Sequence, residues 1–461
     1  MSKPRPASLD ALRSEGDVNI SPQRQAWAER NIDPQTQELL KEDERLFLHQ
    51  SLSTPCLDVI EGCEGPYLIT AQGKRLLDFH GNSVHQTGFG HPKVIEAIKS
   101  QLDQLSFCTR RYTNRVAVQL AQRLTDLAPG DLNKVLFAPG GSEAISMALK
   151  LARYATGRYK TISMWEAFHG ATLDAISLGG EAIFRQNVGP LLPGTEHVPP
   201  PDASQCPFGC EGVCNLRCAH YIDYVLEREG DVAAVVAETI RCAPFIPPKE
   251  YWQIVREACD RHGALLILDE IPICLGRTGT MFTYEQYGVA PDMLVLGKGL
   301  GGGIFPLAAL LARESLDVAP ERALGHFTHE KSPVGCAAAL ATLDVIEEEN
   351  LLQHTRLLGE HALERMQDLM QRYPLIGDVR GLGLQMGMEL VKDRQTRVKA
   401  REEAEQVMYL ALERGLSFKL TMGNILTLTP ALTIQREQLD QAFDILESCI
   451  ADVSRGKESV S

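Results

Sequence analysis

The sequence predicts an α/β protein with a large domain around a mostly parallel central sheet and a smaller α/β domain built from both ends of the chain. Apolar, β-branched runs of strand length alternate with amphipathic helical stretches from about residue 90 onward. From about residue 340 the chain is rich in helix patterns. The expected boundaries are 1–90 for the N-terminal arm and first part of the small domain, 91–338 for the large domain, and 339–461 for the rest of the small domain.

The elements follow in order along the chain. The first 50 residues are polar and predict a mobile arm followed by a helix. SEAISMALKLARYA (142–155) and KEYWQIVREACDRHG (249–263) have helical spacing. VRGLGLQMGMEL (379–390) predicts a strand of the smaller domain, with a last helix after Pro430. The strands of the parallel sheet are expected at KVLFA (134–138), KTISMW (160–165), VAAVVAE (232–238), ALLILDE (264–270) and DMLVLG (292–297).

Composition limits the classes of function. The 461 residues carry a formal net charge of −14, which argues against general binding to nucleic acid or anionic lipid, since both need a basic face. The N-terminus is polar, and the longest apolar runs are too short to span a bilayer. We therefore expect a cytoplasmic protein whose anionic ligands, if any, bind in a local basic pocket.

One lysine stands at a strand end among glycines. In PDMLVLGKGLGGGIFPLAALLA (291–312), Lys298 follows an apolar run and is flanked by Gly297 and Gly299. The glycine spacing does not match a dinucleotide-binding loop. Burial favours the neutral form of a lysine, and a neutral amine attacks carbonyls, so this pattern points to a Schiff base.

Three other strand ends carry complementary groups. PGGSEA after KVLFA favours either an anion site at a helix N-terminus or a plain turn. ALLILDE ends in Asp269 and Glu270, which could bind a metal, serve as acid and base, or simply be solvated. Phe168 and His169 follow KTISMW, where a core aromatic beside a loop histidine is the simpler interpretation. Together a lysine, a phosphate cup, an aromatic face and a carboxylate are what pyridoxal 5′-phosphate (PLP) requires.

The chain resembles the class III (ω-aminotransferase-like) family of PLP enzymes, which has fold type I. The resemblance runs from about Pro66 to the final helix and includes the segment from Thr328 to Pro333. Its other landmarks are LLDFHGN (76–82), GFGHPKVIEAI (88–98), GGSEAISMALKLAR (140–153), FHGAT (168–172), LLILDEIPICLGRTG (265–279), PDMLVLGKGLGGG (291–303) and VRGLGL (379–384).

The resemblance implies a role for each matching residue. Lys298 would bind the cofactor aldehyde and move protons, and Asp269 would hold the ring nitrogen protonated. The remaining cofactor contacts would come from Gly141, Ser142, Phe168 and His169, and from Thr328 donated to the phosphate in a partner subunit. A homodimer with shared sites is therefore implied.

Several positions depart from the family pattern. Ile271-Pro272 stands where members commonly have valine and glutamine, and Ile145-Ser146 replaces asparagine and glutamate. Ser332 replaces an asparagine, and LTLTPAL (426–432) has threonine in place of an arginine. These changes put reversible transamination with a keto acid in doubt.

The segment FCTRRYTNR (107–115) predicts contacts with an anionic substrate. Arginine suits doubly charged oxyanions, so Arg110 and Arg111 are candidate phosphonate ligands, although a solvated basic patch explains them equally well.

The chain most closely resembles ammonia-lyases that act on small phosphonylated amines. The expected function is elimination of ammonia from a hydroxylated aminophosphonate. The alternatives are an ω-aminotransferase using pyruvate or 2-oxoglutarate, and a non-catalytic zinc-binding interaction protein.

CPFGCEGVCNLRCAH (206–220) has four evenly spaced cysteines. The spacing is compatible with a structural zinc, with disulfides or with free thiols; a reducing compartment disfavours disulfides, and Pro207 and Gly209 favour a loop. The candidate zinc ligands are Cys206, Cys210, Cys214 and Cys218.

Overall fold

The computed structural model describes residues 21–204, 206–210 and 213–458. The chain splits into two compact units. One unit holds the described residues up to Gly81, together with Gly88–Gly90 and the chain from Arg356 onward; the other holds Asn82–Thr87 and His91–Thr355. The break near residue 356 differs from the expected boundary at 338/339, which falls inside one continuous helix, Pro333–Glu348.

The helices and strands have the following bounds. The N-terminal region contains α1 (Pro22–Asn31), α2 (Pro34–Leu46), β1 (Ile60–Glu64), β2 (Tyr67–Thr70) and β3 (Arg75–Asp78). The central region contains α3 (Pro92–Gln104), α4 (Arg115–Leu127), β4 (Lys134–Ala138), α5 (Gly141–Thr156), β5 (Lys160–Met164), α6 (Leu173–Leu178), α7 (Ala182–Arg185), β6 (Thr195–Val198), α8 (Arg217–Glu229), β7 (Val232–Glu238), α9 (Lys249–His262), β8 (Leu265–Asp269), β9 (Met293–Leu296), β10 (Ala308–Ala312) and α10 (Pro333–Glu348). The C-terminal region contains α11 (Leu351–Arg372), β11 (Ile376–Leu382), β12 (Gln385–Leu390), α12 (Arg401–Glu413), β13 (Leu416–Ser417), β14 (Lys419–Thr421), β15 (Ile425–Leu428) and α13 (Arg436–Glu458).

Seven strands form the central sheet of the second unit, in the order β4-β10-β9-β8-β7-β5-β6. β10 runs antiparallel to both of its neighbours, and the other neighbouring pairs are parallel. All seven residues of β7 are buried, as expected for a central strand covered on both faces. The α/β prediction with a mostly parallel central sheet is confirmed.

Helix α5 packs against this sheet. Its buried face carries Ala144, Ile145 and Ala148, which belong to one hydrophobic cluster with Val236 of β7 and Ile267 of β8. The first turn follows Gly140, which provides no side-chain cap. α4 and α10, in contrast, begin at the capping side chains of Asn114 and Ser332.

The first unit contains two four-stranded sheets, β1-β2-β3-β13 and β11-β12-β15-β14. The expectation of a single strand over VRGLGLQMGMEL is wrong. The segment is an antiparallel hairpin whose strands β11 and β12 turn at Gly383, with φ +56°. A left-handed glycine reverses the chain where an apolar pattern alone continues it.

At the N-terminus, α1 and α2 occupy part of the region expected as arm and helix, and residues 1–20 lie outside the described part. Within the described part of the chain, no helix has the length and apolar character needed to cross a membrane.

Candidate active site at the carboxyl ends of the strands

The carboxyl ends of the parallel strands collect the predicted site residues within the second unit. Asp269 ends β8, Lys298 follows β9, and His169 follows β5. Ser142 lies in the first turn of α5, directly after β4. Ligands of open parallel sheets bind at this edge, so the topology alone brings these four side chains to one region.

Asp269 and His169 form a buried pair. His169 Nδ1 lies 2.7 Å from Asp269 Oδ2, and its Nε2 lies 3.3 Å from Ser163 Oγ. Asp269 Oδ1 accepts a hydrogen bond from the Ile271 N–H at 3.1 Å. Burial lowers the pKa of His169, but the hydrogen bond and charge of Asp269 outweigh it, so the net pKa is raised. The contacts with His169 and with the Ile271 N–H thus hold the Asp269 side chain in one orientation.

Lys298 begins a tight turn. It opens the 3₁₀ helix Lys298–Gly301 with φ +48°, a strained value for a residue with a side chain. A Cβ on Gly299 would overlap the amide of Gln86, which is buried with Oε1 lacking a hydrogen-bond partner among the described residues. A Cβ on Gly302 would lie 2.6 Å from Val94 Cγ1. The glycines around the lysine therefore allow the turn to pack against neighbouring side chains.

The start of α5 is the place where the sequence predicts a phosphate site. Gly140 is the extended residue before the helix, and the backbone N–H groups of the first turn have no acceptor within the helix. Ser142 Oγ accepts from the Ala171 N–H at 3.3 Å. A Cβ on Gly141 would lie 2.7 Å from Ile271 Cδ1, and one on Gly170 would collide with Ser142 Oγ. The missing side chains at Gly141 and Gly170 therefore let the first turn of α5 pack closely against Ile271 and the segment after β5.

Two apolar side chains border this region. Phe168 is half-buried and packs against Phe184, with ring centroids 4.5 Å apart and ring planes at 39°. Ile271 is buried, and the Cβ positions of Gly141 and Gly297 both face it. The sequence singled out Ile271 only as a departure from a motif, and gave no signal for Phe184.

Three predicted residues lie apart from these contacts. Thr328, Arg110 and Arg111 are exposed. The segments that carry them are neighbours, because the rings of Phe107 and His329 meet edge to face at 5.4 Å. Both segments therefore present polar side chains on one exposed surface of the second unit.

A buried charged cluster was missed by sequence reasoning. Arg241 Nη2 pairs with Glu181, and Arg241 Nε lies 3.8 Å from Glu238 Oε2. Glu238 ends β7 and is the register partner of Asp269 on β8. The sequence did carry a signal for Glu238, because VAAVVAE ends in an acidic residue just as ALLILDE does.

The cysteine segment does not support the zinc expectation. Among the described residues, no group of three or more His, Cys, Asp or Glu side chains is arranged to hold a metal. Cys214 Sγ and Cys218 Sγ lie 3.9 Å apart, and Cys206 and Cys210 are also free. Burial and the neighbouring Cys214 raise the pKa of the Cys218 thiol to about 12.

The chain matches a family model and is similar in sequence to known enzymes. A model of the family "Aminotransferase class-III" matches residues 50–450. The chain is 47% identical over 463 residues to the (R)-1-hydroxy-2-aminoethylphosphonate ammonia-lyase of Vibrio splendidus (strain 12B01), covering 97% of each protein. It is 36% identical to the leucine/methionine racemase of Thermococcus litoralis, covering 91% of this chain and 97% of that protein.

Solved structures of transaminases also superpose on this chain. An amine transaminase from an uncultivated Pseudomonas species, in its PLP-bound form, superposes with a TM-score of 0.83 at 32% identity, covering 88% of this chain and 98% of that one. An (S)-enantioselective ω-transaminase from Thermomicrobium roseum superposes with a TM-score of 0.84 at 30% identity, covering 90% and 98%.

Proposed function

Because this chain belongs to the class-III aminotransferase family, we propose that it is a PLP-dependent ammonia-lyase. Its substrate is (R)-1-hydroxy-2-aminoethylphosphonate, and its products are phosphonoacetaldehyde and ammonia. The observation that carries this proposal is 47% identity, over 97% of both chains, to a lyase named for that substrate. The departures at Ile271-Pro272 and Ile145-Ser146, where ordinary aminotransferase residues are missing, point the same way. The enzyme acts in the cytoplasm as a homodimer, in the breakdown of aminophosphonates.

The residues at the strand ends fit PLP. The uncapped start of α5 at Gly141 and Ser142 would hold the phosphate, and the buried side chain of Asp269 would pair with a protonated ring nitrogen. Phe168 would offer an aromatic face, and the amine of Lys298 would hold the aldehyde carbon. When bound, PLP withdraws electrons from the carbon attached to the substrate nitrogen.

The chain supplies the remaining chemistry. Lys298 Nζ removes a proton from the substrate carbon that bears nitrogen, acting as the general base. Asp269, which His169 orients, would keep the ring nitrogen protonated so that the ring could accept charge. The neighbouring carbon then loses its hydroxyl group as water. The resulting enamine tautomerises and hydrolyses to the aldehyde and ammonia, so no keto acid is consumed.

The phosphonate is assigned to arginine. Arg110 and Arg111 are exposed in the chain described here, beside the segment that carries Thr328. In a homodimer of shared sites, Thr328 contacts the phosphate bound by the partner subunit. Arginine forms paired hydrogen bonds with such oxyanions, and loss of one charged partner costs about 1.5–3 kcal/mol.

An ω-aminotransferase is the second candidate, favoured by the solved relatives that are transaminases. The two functions differ in their need for a keto acid. The purified enzyme is incubated with the hydroxylated aminophosphonate alone, and then with pyruvate or 2-oxoglutarate added, while ammonia is measured. We expect ammonia in both reactions at similar rates. No ammonia in either reaction, with alanine or glutamate formed only where the keto acid is present, would instead establish the aminotransferase.

A further inference from the structure

Three charged side chains are buried together beside the His169–Asp269 pair. The side chains of Arg241, Glu238 and Glu181 are 6%, 4% and 1% exposed. Arg241 contacts both carboxylates, and Glu238 sits opposite Asp269 in the β7–β8 register. The cluster therefore shares the dry environment of the aspartate that is proposed to face the cofactor.

The cluster carries unequal charge. Two carboxylates face one guanidinium, so full ionisation would leave one buried negative charge without compensation. Burial raises the pKa of both Glu181 and Glu238 to about 7 in the chain as described. Arg241 and His169 favour ionised Glu238, while Asp269 and Glu181 oppose it. Glu238 thus lacks one nearby positive charge.

A cation placed against Asp269 would supply that charge. We propose that Glu238, held by Arg241 and Glu181, is a positioning residue that helps to keep the ring nitrogen of bound PLP protonated through the His169–Asp269 pair. This proposal rests on the PLP assignment above. The coupling between the two charges is reciprocal. A protonated ring nitrogen favours the ionised form of Glu238, and ionised Glu238 equally favours the protonated ring nitrogen.

The test compares two cofactors. The full-length chain, depleted of cofactor, is titrated with PLP and with the carbocyclic analogue that has carbon in place of the ring nitrogen, and both affinities are measured by absorbance. The wild type should prefer PLP. In E238Q this preference should fall roughly tenfold, the size of one pKa unit, because the charge that stabilises the ring proton is gone.

Controls separate charge from structure. E238D keeps the carboxylate and should restore most of the preference, while E227Q, the same change at an exposed position of α8, should leave it intact. Equal loss of both affinities in E238Q, or an unchanged ratio, would overturn the proposal. If E238Q does not fold, E181Q provides the test in the opposite direction, because it removes a carboxylate that opposes ionisation of Glu238 and should raise the preference for PLP. A fall in the preference in E181Q would overturn the proposal.

The outcomes for the two proposals are distinguishable, since the titration needs no amine substrate. A wild-type chain that binds neither cofactor overturns the PLP assignment and the proposed function with it. A wild type that binds PLP and releases ammonia, with E238Q showing an unchanged ratio, overturns only the role of Glu238.

Discussion

At residue 298 the chain places a lysine in a strained conformation and surrounds it with glycine. The positive φ of Lys298 aims its side chain from the start of a 3₁₀ turn, and Gly299 and Gly302 leave room for Gln86 and Val94. Strain of this kind persists only where surrounding packing fixes it. The tight packing around the turn thus fixes the backbone from which the Lys298 side chain extends.

Replacing the base tests its role directly. K298A should lower ammonia release roughly 10³-fold or more, because both the cofactor attachment and the proton acceptor are lost. K99A, at an exposed lysine of α3, is the control and should keep wild-type activity. Circular dichroism should show both variants folded. Appreciable turnover by K298A would contradict the assignment of Lys298.

Packing around the turn is tested by two glycines of similar conformation. Gly302 has φ +67° and Gly288 has φ +63°, but a Cβ meets Val94 and Thr342 only at Gly302. G302A should therefore be about 1–3 kcal/mol less stable than G288A, since strain is common to both and overpacking is not. Chemical unfolding measures the difference. Equal stabilities would show that the neighbours of Gly302 relax freely.

The buried Glu238 carboxyl makes stability depend on pH. Burial raises its pKa from the ordinary 4.5 to about 7, so between these values the folded chain keeps a proton that the unfolded chain releases. The resulting stability is complete below pH 4.5 and is lost as pH rises through about 7. The free energy of unfolding of cofactor-free E238Q, measured relative to wild type, should therefore rise by up to ~3 kcal/mol as the pH increases from 4.5 to 8. Unfolding curves of both chains across that pH range measure the difference. A difference in unfolding free energy that does not change with pH would contradict the prediction.

At the scale of elements, the site consists of strand ends and one helix start. β8 delivers Asp269, β9 delivers Lys298, and α5 begins with small residues directly after β4. The helix lacks a side-chain N-cap, although Ser142 stands in its first turn. An external anion is the natural partner for those backbone N–H groups.

The phosphate cup predicts a selective loss of affinity. S142A should weaken binding of PLP by roughly tenfold, since a hydrogen bond to a charged group is lost, and should leave binding of pyridoxal, which has no phosphate, nearly unchanged. S146A is the control one turn later, where the hydroxyl bonds Asp174 instead. Cofactor titrations measure all three chains. A parallel loss of both ligands in S142A would refute the assignment.

For the whole molecule, the decisive question is whether a site is completed by a second subunit. Thr328 is exposed and lies apart from the strand-end contacts of its own chain, in a segment packed through His329 against Phe107. In a homodimer this exposed segment is free to reach the phosphate of the neighbouring site. In the proposed homodimer, Thr328 is therefore expected to act in the site of the partner subunit.

Mixed dimers test this arrangement. K298A and T328A, each impaired alone, are mixed under conditions that exchange subunits. A heterodimer would contain one site with both residues intact, so an equal mixture should regain roughly a quarter of wild-type ammonia release. If Thr328 acted within its own chain, no site in the heterodimer would be intact and mixing would restore nothing. Wild-type chain mixed with K298A calibrates the exchange.

The sequence by itself determined the sheet and the residues at its edge. Apolar runs of strand length bounded by turn residues indicate strands, so KVLFA and VAAVVAE match β4 and β7 residue for residue, and the groups that follow such runs meet at the carboxyl edge of the sheet. Only the tertiary structure decided the contacts made across the chain. The Glu181–Arg241–Glu238 cluster joins residues up to 60 positions apart, and burial there depends on packing rather than on local pattern. The hairpin at Gly383 and the separation of the cysteine sulfurs were likewise decided by three-dimensional geometry, because residue type and spacing fix neither a backbone φ nor a distance.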